Sequence, residues 1–246
     1  MKGAARNRAR ILLKRGVRPR ATAQSPVVTT ETILFDSARF ITSVAEPAQL
    51  NGAELAMLPE IAFVGRSNAG KSSVINVLTR QKQLAYASKT PGRTQLLNFF
   101  ELTARDEDGE RRACGYLVDL PGYGFARVDD ATRERWDALV GGFLQTRRML
   151  AGVVLVMDAR RPLTATDEAL LEWLRSREHP DQLRLHLLLN KADQLKTIAR
   201  RNAMGLAEAC ADLLPMPTSV QMFSALKREG VDELAATLQD IFDARV

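Results

Sequence analysis

The stretch from Ile61 to Ser73 reads IAFVGRSNAGKSS, and it decides the fold. Its leading apolar residues predict a buried strand, and Gly65 to Ser72 fits the pattern G-x-x-x-x-G-K-[ST], which opens a helix. Glycines let backbone N–H groups turn toward phosphate oxygens, and the helix N-terminus adds partial positive charge. Lys71 would neutralise the β- and γ-phosphates, and the Ser72 hydroxyl would bind Mg²⁺. A glycine turn with a purely structural role is the alternative.

A second motif predicts which nucleotide base the site binds. Residues Asn190 to Asp193 read NKAD and follow the apolar run Leu185 to Leu189. The Asp193 carboxylate accepts hydrogen bonds from guanine N1–H and the 2-amino group, whereas adenine would leave this charge unpaired. The stem of Lys191 would lie over the base, and Asn190 would tie this loop to the phosphate-binding loop. The two motifs together predict a guanine-nucleotide site.

Three shorter elements complete this site. The dipeptide Ser224–Ala225 follows a predicted strand and would bring a backbone N–H to guanine O6. Asp119 to Gly122 reads DLPG; its carboxylate would hold Mg²⁺ through water, and its last N–H would contact the γ-phosphate. Lys89 to Gln95 reads KTPGRTQ and would supply a second Mg²⁺ ligand, Thr94, with Thr90 as the alternative. The last two elements predict a pair of nucleotide-dependent switch segments.

From Glu31 onward the sequence alternates short apolar runs with longer amphipathic ones, which predicts a single α/β domain over residues 31–246. The six predicted strands are Ile61–Val64, Leu96–Leu102, Tyr116–Val118, Val153–Met157, Leu185–Leu189 and Val220–Phe223. The predicted helices are Ser72–Thr79, Asp130–Arg147, Ala165–Arg177, Ile198–Leu213 and Val231–Ala244. We expect a mostly parallel six-stranded sheet with helices on both faces and one antiparallel edge strand, Leu96–Leu102. Ligands bind such sheets beyond the carboxyl ends of the strands, which the motifs follow.

Basic charge is concentrated at the start of the chain. The 246 residues are 46% hydrophobic and 26% charged, which excludes wholly disordered, collagen-like and disulfide-scaffold proteins. The net charge is +6, but residues 1–30 hold eight basic and no acidic side chains, whereas the remainder holds 27 basic and 29 acidic ones. The composition predicts a disordered N-terminal extension over residues 1–30. It is interpreted as a solvated extension, an arm that contacts RNA phosphates, or an organelle transit peptide.

The other conspicuous residues predict no further chemistry. Cys114 and Cys210 stand far apart, which indicates reduced thiols and a cytoplasmic location. The longest apolar run, Met149 to Met157, is about half of the roughly 20 residues that a membrane-spanning helix needs, so no membrane span is expected. Structural roles are expected for His179, His186, Trp136, Trp173 and Asp158.

With these motifs in order, the sequence resembles the EngB family of P-loop GTPases, most closely in GRSNAGKSS, KTPGRTQ followed by LLNFF, and DLPGYGFA. The resemblance covers Ile33 to Ala244 and implies a P-loop GTPase fold, hydrolysis of GTP to GDP and phosphate, and Mg²⁺ bound by Ser72 and Thr94. It implies that GTP or GDP is bound by Gly65, Arg66, Ser67, Asn68, Ala69, Gly70, Lys71, Ser72, Ser73, Gly92, Arg93, Thr94, Gln95, Leu96, Asp119, Leu120, Pro121, Gly122, Asn190, Lys191, Ala192, Asp193, Phe223, Ser224 and Ala225. The expected catalytic residues are Lys71, Thr94 and Asn68. Asn68 stands where related potassium-activated GTPases carry the asparagine that binds K⁺; a hydrogen bond within the loop is the alternative role.

The resemblance also implies a role: a molecular switch in assembly of the large ribosomal subunit, linked in some bacteria to cell division and septation. We expect a monomer that binds a large-subunit precursor and its RNA, without a membrane partner. Tyr123 stands where Ras-type GTPases place the glutamine that orients the attacking water, so unaided hydrolysis should be slow. Phe125 and Arg127, with Lys89 and Arg93, are expected to form part of a ribosome-facing surface in the GTP state. Packing of the aromatic residues against the neighbouring helix is the alternative. A P-loop nucleotide kinase and an RNA-binding module with a structural nucleotide are the alternatives.

Overall fold

Seven strands form one sheet in the computed structural model, which describes residues 32–46, 49–50, 55–86, 96–106, 108–123 and 134–244. In chain order they are β1 Thr32–Val44, β2 Glu60–Gly65, β3 Leu97–Arg105, β4 Arg111–Asp119, β5 Leu150–Asp158, β6 Arg184–Asn190 and β7 Thr218–Met222. Their order across the sheet is β1-β3-β4-β2-β5-β6-β7. β3 runs antiparallel to both of its neighbours, and the other neighbouring pairs are parallel. The predicted mostly parallel sheet with one antiparallel strand is confirmed.

Two predictions about the sheet were wrong: that it has six strands, and that the antiparallel strand lies at its edge. Both errors arise because the sequence of β1 lacks the regular pattern of a strand. Two register irregularities, between Leu34 and Arg39 and between Phe40 and Thr42, interrupt its pairing with β3. Such bulges break the alternation of buried and exposed side chains by which a strand is recognised. Because β1 pairs with the outer side of β3, the antiparallel strand lies inside the sheet.

Helices cover both faces of the sheet, as predicted. They are α1 Lys71–Leu78, α2 Gly142–Thr146, α3 Ala165–Arg175, α4 Thr197–Ala211 and α5 Val231–Asp243. Alternate residues of the central strands point to opposite faces, so Ile61 and Phe63 belong to the core beneath α1 and α5. Ala62 and Val64 belong to the other core, beneath α2, α3 and α4. None of the helices in the described ranges is long and apolar enough to cross a membrane.

The predicted helix Asp130–Arg147 differs from a regular α-helix. Residues 130–133 lie outside the described residues, and the part that is described contains a π-helical turn, Asp137–Gly141, before α2. Gly141 and Gly142 stand at this junction and lower the local preference for α-helix. The π-turn lies next to Trp136, whose ring packs against the loop after β4, as described below.

Four parallel strands end at the same edge of the sheet and position the candidate site. β2, β4, β5 and β6 end at Gly65, Asp119, Asp158 and Asn190, respectively. Register places Phe63 opposite Asp119 and places Asp158 opposite Asn190. Polar residues that are far apart in the sequence therefore meet beyond the carboxyl ends of neighbouring strands, where open α/β sheets bind ligands.

Candidate nucleotide-binding site

The phosphate-binding loop, Gly65 to Ser72, connects β2 to α1 through two left-handed backbone positions. Asn68 has a φ of 66° and Gly70 a φ of 95°. A Cβ on Gly70 would lie 2.3 Å from Nδ2 of Asn190, and a Cβ on the first glycine of the loop would lie 2.4 Å from the carbonyl oxygen of Val156. Only glycine fits at these two positions, because both distances are far below van der Waals contact. The loop can therefore turn tightly enough for successive backbone N–H groups to face a phosphate chain.

Lys71 and Asp119 form a buried ion pair next to this loop. Lys71 begins α1 and is 9% exposed, and Asp119 ends β4 and is 5% exposed. Nζ of Lys71 donates a hydrogen bond to Oδ1 of Asp119. An unpaired charge in a buried position costs much free energy, so each of these two charges stabilises the other in its ionised form. Ser72 and Ser73 follow in the first turn of the same helix.

The Asp119 to Gly122 loop lies against the phosphate-binding loop. The N–H of Leu120 donates to the carbonyl oxygen of Phe63 at 3.0 Å, which extends the pairing of β4 with β2. The N–H of Ser67 donates to the carbonyl oxygen of Tyr123 at 2.8 Å. A Cβ on the final glycine of the loop would lie 3.3 Å from the Ser67 nitrogen, tighter than ordinary contact. A group that moves this glycine will therefore also move the backbone beside the phosphate-binding loop.

Asn190, the last residue of β6, joins three loops through one buried amide. Its side-chain Nδ2 donates to the carbonyl oxygen of Ala69 at 2.9 Å. Its Oδ1 accepts a hydrogen bond from the N–H of Ala225 at 3.2 Å. The side chain is 2% exposed, so water does not compete for these partners. The geometry agrees with the predicted role of Asn190 in tying the base-binding loop to the phosphate-binding loop.

Lys191 reaches back over the phosphate-binding loop from a left-handed position with a φ of 66°. Its Nζ donates to the carbonyl oxygen of Asn68 at 2.5 Å and to Oδ2 of Asp158 at 3.0 Å. Burial opposes ionisation of Asp158, yet hydrogen bonds from Arg160 and Lys191 hold the pKa of this carboxyl well below its usual range. The Asp158 carboxylate therefore holds Lys191 in place, which is a structural role of the kind expected for this residue.

Asp193 is positioned by a buried hydroxyl. Oγ of Ser224 donates a hydrogen bond to Oδ1 of Asp193 at 2.5 Å, and Ser224 is fully buried. The backbone supports the same arrangement, because the N–H of Ala192 donates to the carbonyl oxygen of Phe223 at 3.0 Å. The second carboxylate oxygen accepts no hydrogen bond among those described. The Asp193 carboxylate can thus accept hydrogen bonds from the N–H donors on the edge of guanine.

The dipeptide Ser224–Ala225, expected to bring a backbone N–H to guanine O6, has both of its N–H groups donating within the protein. The N–H of Ser224 donates to the carbonyl oxygen of Glu229 at 3.1 Å, and that of Ala225 donates to Oδ1 of Asn190 at 3.2 Å. An N–H that already has a partner contacts a ligand only by sharing or leaving that partner. The O6 role of this dipeptide therefore stays a prediction.

The structure brings most of the predicted site residues together, and all the others except Leu96 lie outside the described residues. Those at the common edge of the sheet are Gly65, Arg66, Ser67, Asn68, Ala69, Gly70, Lys71, Ser72, Ser73, Asp119, Leu120, Pro121, Gly122, Asn190, Lys191, Ala192, Asp193, Phe223, Ser224 and Ala225. Leu96 is described and directly precedes β3. The residues outside are Lys89, Thr90, Gly92, Arg93, Thr94, Gln95, Phe125 and Arg127.

Sequence reasoning missed the contacts that Asp158 and Asp167 make with the loops of the site. Asp158 ends a strand and lies opposite Asn190, so the rule that selected Asp119 would also have selected it. Asp167 accepts a hydrogen bond from the Tyr123 hydroxyl at 2.5 Å. Its only sequence signal is that it lies three residues after Thr164 at the start of α3, which predicts a helix cap and says nothing about Tyr123.

Comparison with known proteins places this geometry in a family. The family model described as "50S ribosome-binding GTPase" matches residues 60–191. The "Probable GTP-binding protein EngB" of Thiobacillus denitrificans is 46% identical over 207 residues, which cover 84% of this chain and 91% of that protein. The protein of the same name from Neisseria meningitidis serogroup C (strain FAM18) is 45% identical over 217 residues, covering 86% and 94%. The chain belongs to the EngB family.

The EngB chain is therefore a GTP-binding protein of a GTPase family. A solved structure, described as the crystal structure of a probable GTP-binding protein engB, has the same fold, with a TM-score of 0.50 at 20% identity. That comparison covers 74% of this chain and 98% of the other. The P-loop GTPase fold predicted from the sequence is confirmed.

Proposed function

We propose that this EngB chain is a molecular switch whose GTP-bound form binds a precursor of the large ribosomal subunit and whose hydrolysis of GTP releases it. The observation that carries the proposal is the match of residues 60–191 to the 50S ribosome-binding GTPase model. Those residues include the phosphate-binding loop, the Asp119–Gly122 loop and the start of the base-binding loop. Ordering of switch segments by the γ-phosphate would create a surface that exists in one nucleotide state only. The switch acts as a monomer in the cytoplasm, and family resemblance extends its role to cell division.

Ribosomal RNA is the partner that the charge of the chain favours. Residues 1–30 carry eight basic and no acidic side chains, whereas the remainder of the chain is close to neutral. Contacts of Lys and Arg with phosphates release counterions, so such binding weakens steeply as salt is raised. We propose that the extension adds affinity for RNA, while the nucleotide state decides whether the precursor is held.

The residues of the site fit Mg²⁺. Ser72 stands in the first turn of α1, next to Lys71, and Lys71 is paired with the Asp119 carboxylate. Hydroxyl and carboxylate oxygens are the hard ligands that Mg²⁺ prefers. We propose that Ser72 and Thr94 bind the ion directly and that Asp119 binds it through water; Thr94 lies outside the described residues. When bound, Mg²⁺ neutralises charge on the β- and γ-phosphates.

Slow unaided hydrolysis is part of the proposal. The hydroxyl of Tyr123, the residue after Gly122, donates to buried Asp167 at 2.5 Å. It is therefore engaged away from any attacking water. We propose that K⁺ beside Asn68 supplies part of the missing charge stabilisation. Turnover should then be faster in K⁺ than in Na⁺ at matched ionic strength, and equal turnover in the two salts would contradict the K⁺ role.

Cosedimentation with large-subunit precursors tests the proposed function. The full chain is mixed with the precursor in GDP or in a non-hydrolysable GTP analogue, with and without residues 1–30. We expect the analogue to increase the bound fraction and the truncation to weaken binding without removing its dependence on nucleotide. Lys71→Ala is the matched variant, because it removes the charge at the phosphates and leaves the extension intact.

Each outcome of this experiment has a defined meaning. Equal binding in the two nucleotide states contradicts a switch. Salt-sensitive RNA binding that survives Lys71→Ala and disappears with residues 1–30 favours the RNA-binding module in which the nucleotide is structural. Transfer of phosphate from GTP to a small acceptor, measured in the same preparation, would favour the nucleotide kinase.

A further inference from the structure

The side chain of Tyr123 leaves the phosphate edge and enters the protein. Its hydroxyl donates to Oδ1 of Asp167 at 2.5 Å, and the two residues are 6% and 1% exposed. Burial and the adjacent Asp167 carboxylate raise the pKa of the hydroxyl far above its usual value, so the proton stays on Tyr123. Buried hydrogen bonds with a charged acceptor, such as this one, are among the stronger hydrogen bonds in proteins.

Asp167 is itself fixed at the start of α3. Its Oδ2 accepts hydrogen bonds from the N–H of Thr164 at 2.8 Å and from Oγ1 of Thr164 at 2.7 Å. This capping box holds the first turn of the helix. One carboxylate therefore serves two purposes: Oδ2 caps α3, and Oδ1 holds Tyr123.

Aromatic contacts join the same two elements a second time. The ring of Trp136 meets Tyr123 edge-on at 5.7 Å and stacks on Trp173 of α3 at 5.6 Å. Its Nε1 donates to the carbonyl oxygen of Pro121 at 3.2 Å. Trp136 thus contacts both the Asp119–Gly122 loop and α3. Trp136 and Trp173 are the only two tryptophans of the chain.

The backbone of Tyr123 is bound on the opposite side, by the phosphate-binding loop. Its N–H donates to the carbonyl oxygen of Gly65 at 3.3 Å, and its carbonyl oxygen accepts from Ser67 at 2.8 Å. Tyr123 therefore bridges the phosphate-binding loop and α3, with the predicted γ-phosphate contact, Gly122, directly before it in the chain.

We propose that Tyr123 is a positioning residue whose hydrogen bond to Asp167 transmits the state of the Asp119–Gly122 loop to helix α3. Because Asp167 holds Tyr123, the end of the loop already lies against the phosphate-binding loop, and a γ-phosphate has less of the loop left to order. Without the bond, a γ-phosphate must first order the loop, which weakens GTP binding. GDP lacks the γ-phosphate and makes no contact with Gly122, so its affinity does not depend on the bond. The inference rests on the nucleotide switch in the proposed function and does not require a ribosomal partner.

The test uses the full chain and nucleotide alone. Tyr123→Phe removes the hydroxyl and keeps the ring beside Trp136. Affinities for GDP and for a non-hydrolysable GTP analogue are measured, together with the tryptophan emission of each complex. We expect Tyr123→Phe to lower the analogue-to-GDP affinity ratio about fivefold, at the small end of known couplings between sites. We also expect it to lose most of the difference in emission that separates the two complexes of the unaltered protein.

Thr164→Val is the matched control, because it removes a hydrogen bond to the other oxygen of the same carboxylate. It loosens the cap of α3 and leaves the Tyr123–Asp167 bond in place, so its affinity ratio and emission difference should equal those of the unaltered protein. Asp167→Ala removes the bond from the α3 side. Combined with Tyr123→Phe, it should lower the ratio no further than either change alone, as expected when both variants break one interaction.

Three outcomes would overturn the proposal. The first is an unchanged affinity ratio and emission difference in Tyr123→Phe. The second is a Thr164→Val variant that behaves like Tyr123→Phe, which would attribute the effect to a loosened helix. The third is an unaltered protein whose tryptophan emission is the same with both nucleotides. None of these depends on the precursor, so a failed cosedimentation experiment and a failed coupling experiment can be told apart.

Discussion

Replacing Asn190 with alanine tests whether the site is held together by one amide. The side chain is 2% exposed and makes two hydrogen bonds, to Ala69 at 2.9 Å and to Ala225 at 3.2 Å. Losing the bond to half-buried Ala225 costs about 1 kcal/mol, and the carbonyl of Ala69, left buried without a partner, costs about 1–3 kcal/mol. We expect the free energy of unfolding to fall by about 2–4 kcal/mol. GDP affinity should fall at least about tenfold, because bound GDP must then order the two loops that Asn190 no longer joins. A cost of about 1.4 kcal/mol for this ordering corresponds to a tenfold loss.

Asn76 provides a control with the same chemistry. It is an asparagine on α1 whose amide also makes two hydrogen bonds to backbone, donating to and accepting from Ala85 at 2.9 and 2.8 Å. Asn76→Ala should therefore destabilise the fold by a similar amount and leave GDP affinity unchanged. Denaturant unfolding gives the stability, and titration of a fluorescent GDP derivative gives the affinity. The reasoning is refuted if Asn190→Ala loses stability but binds GDP as tightly as the unaltered protein.

Three further predictions concern the base, the phosphates and pH. Asp193→Asn should weaken GTP binding at least about 100-fold and favour a xanthine nucleotide; equal competition by ATP and GTP in the unaltered protein would contradict this. In titrations against Mg²⁺, excess ion should partly restore nucleotide affinity to Ser72→Ala but not to Lys71→Ala, so identical curves would contradict their separate roles. Burial lowers the pKa of His186 from 6.5 to about 4. The unfolded chain therefore takes up the proton first, and stability falls by about 3 kcal/mol as pH drops from 6.5 to 4. His186→Gln should remove this part of the slope, whereas His179→Gln, at an exposed residue, should retain it.

Sequence reasoning succeeded where a local pattern fixes a local structure. The run from Ile61 to Lys71 specifies a strand, a tight turn and a helix start, and each of these needs only its own residues. It failed for β1, because the bulges that shape this strand depend on its partner β3. It also failed for the bond between Tyr123 and Asp167, since nothing local brings the residue after one strand to the cap of a distant helix. Apart from β1, what the sequence left open was the contacts between elements.

The ties between the phosphate-binding loop and the base-binding loop have a consequence for synthesis of the chain. Asn190 contacts Ala69 across 121 residues, and Lys191 contacts Asn68 across 123 residues. The strands β1 to β4 are adjacent in the sheet and come from the first half of the chain, so they can pair early. At about 5–20 residues per second, roughly 6–24 s separate the emergence of the two loops. A nascent chain therefore carries a phosphate-binding turn well before it can tell one base from another, and discrimination between nucleotides begins only when nearly the whole protein has been made.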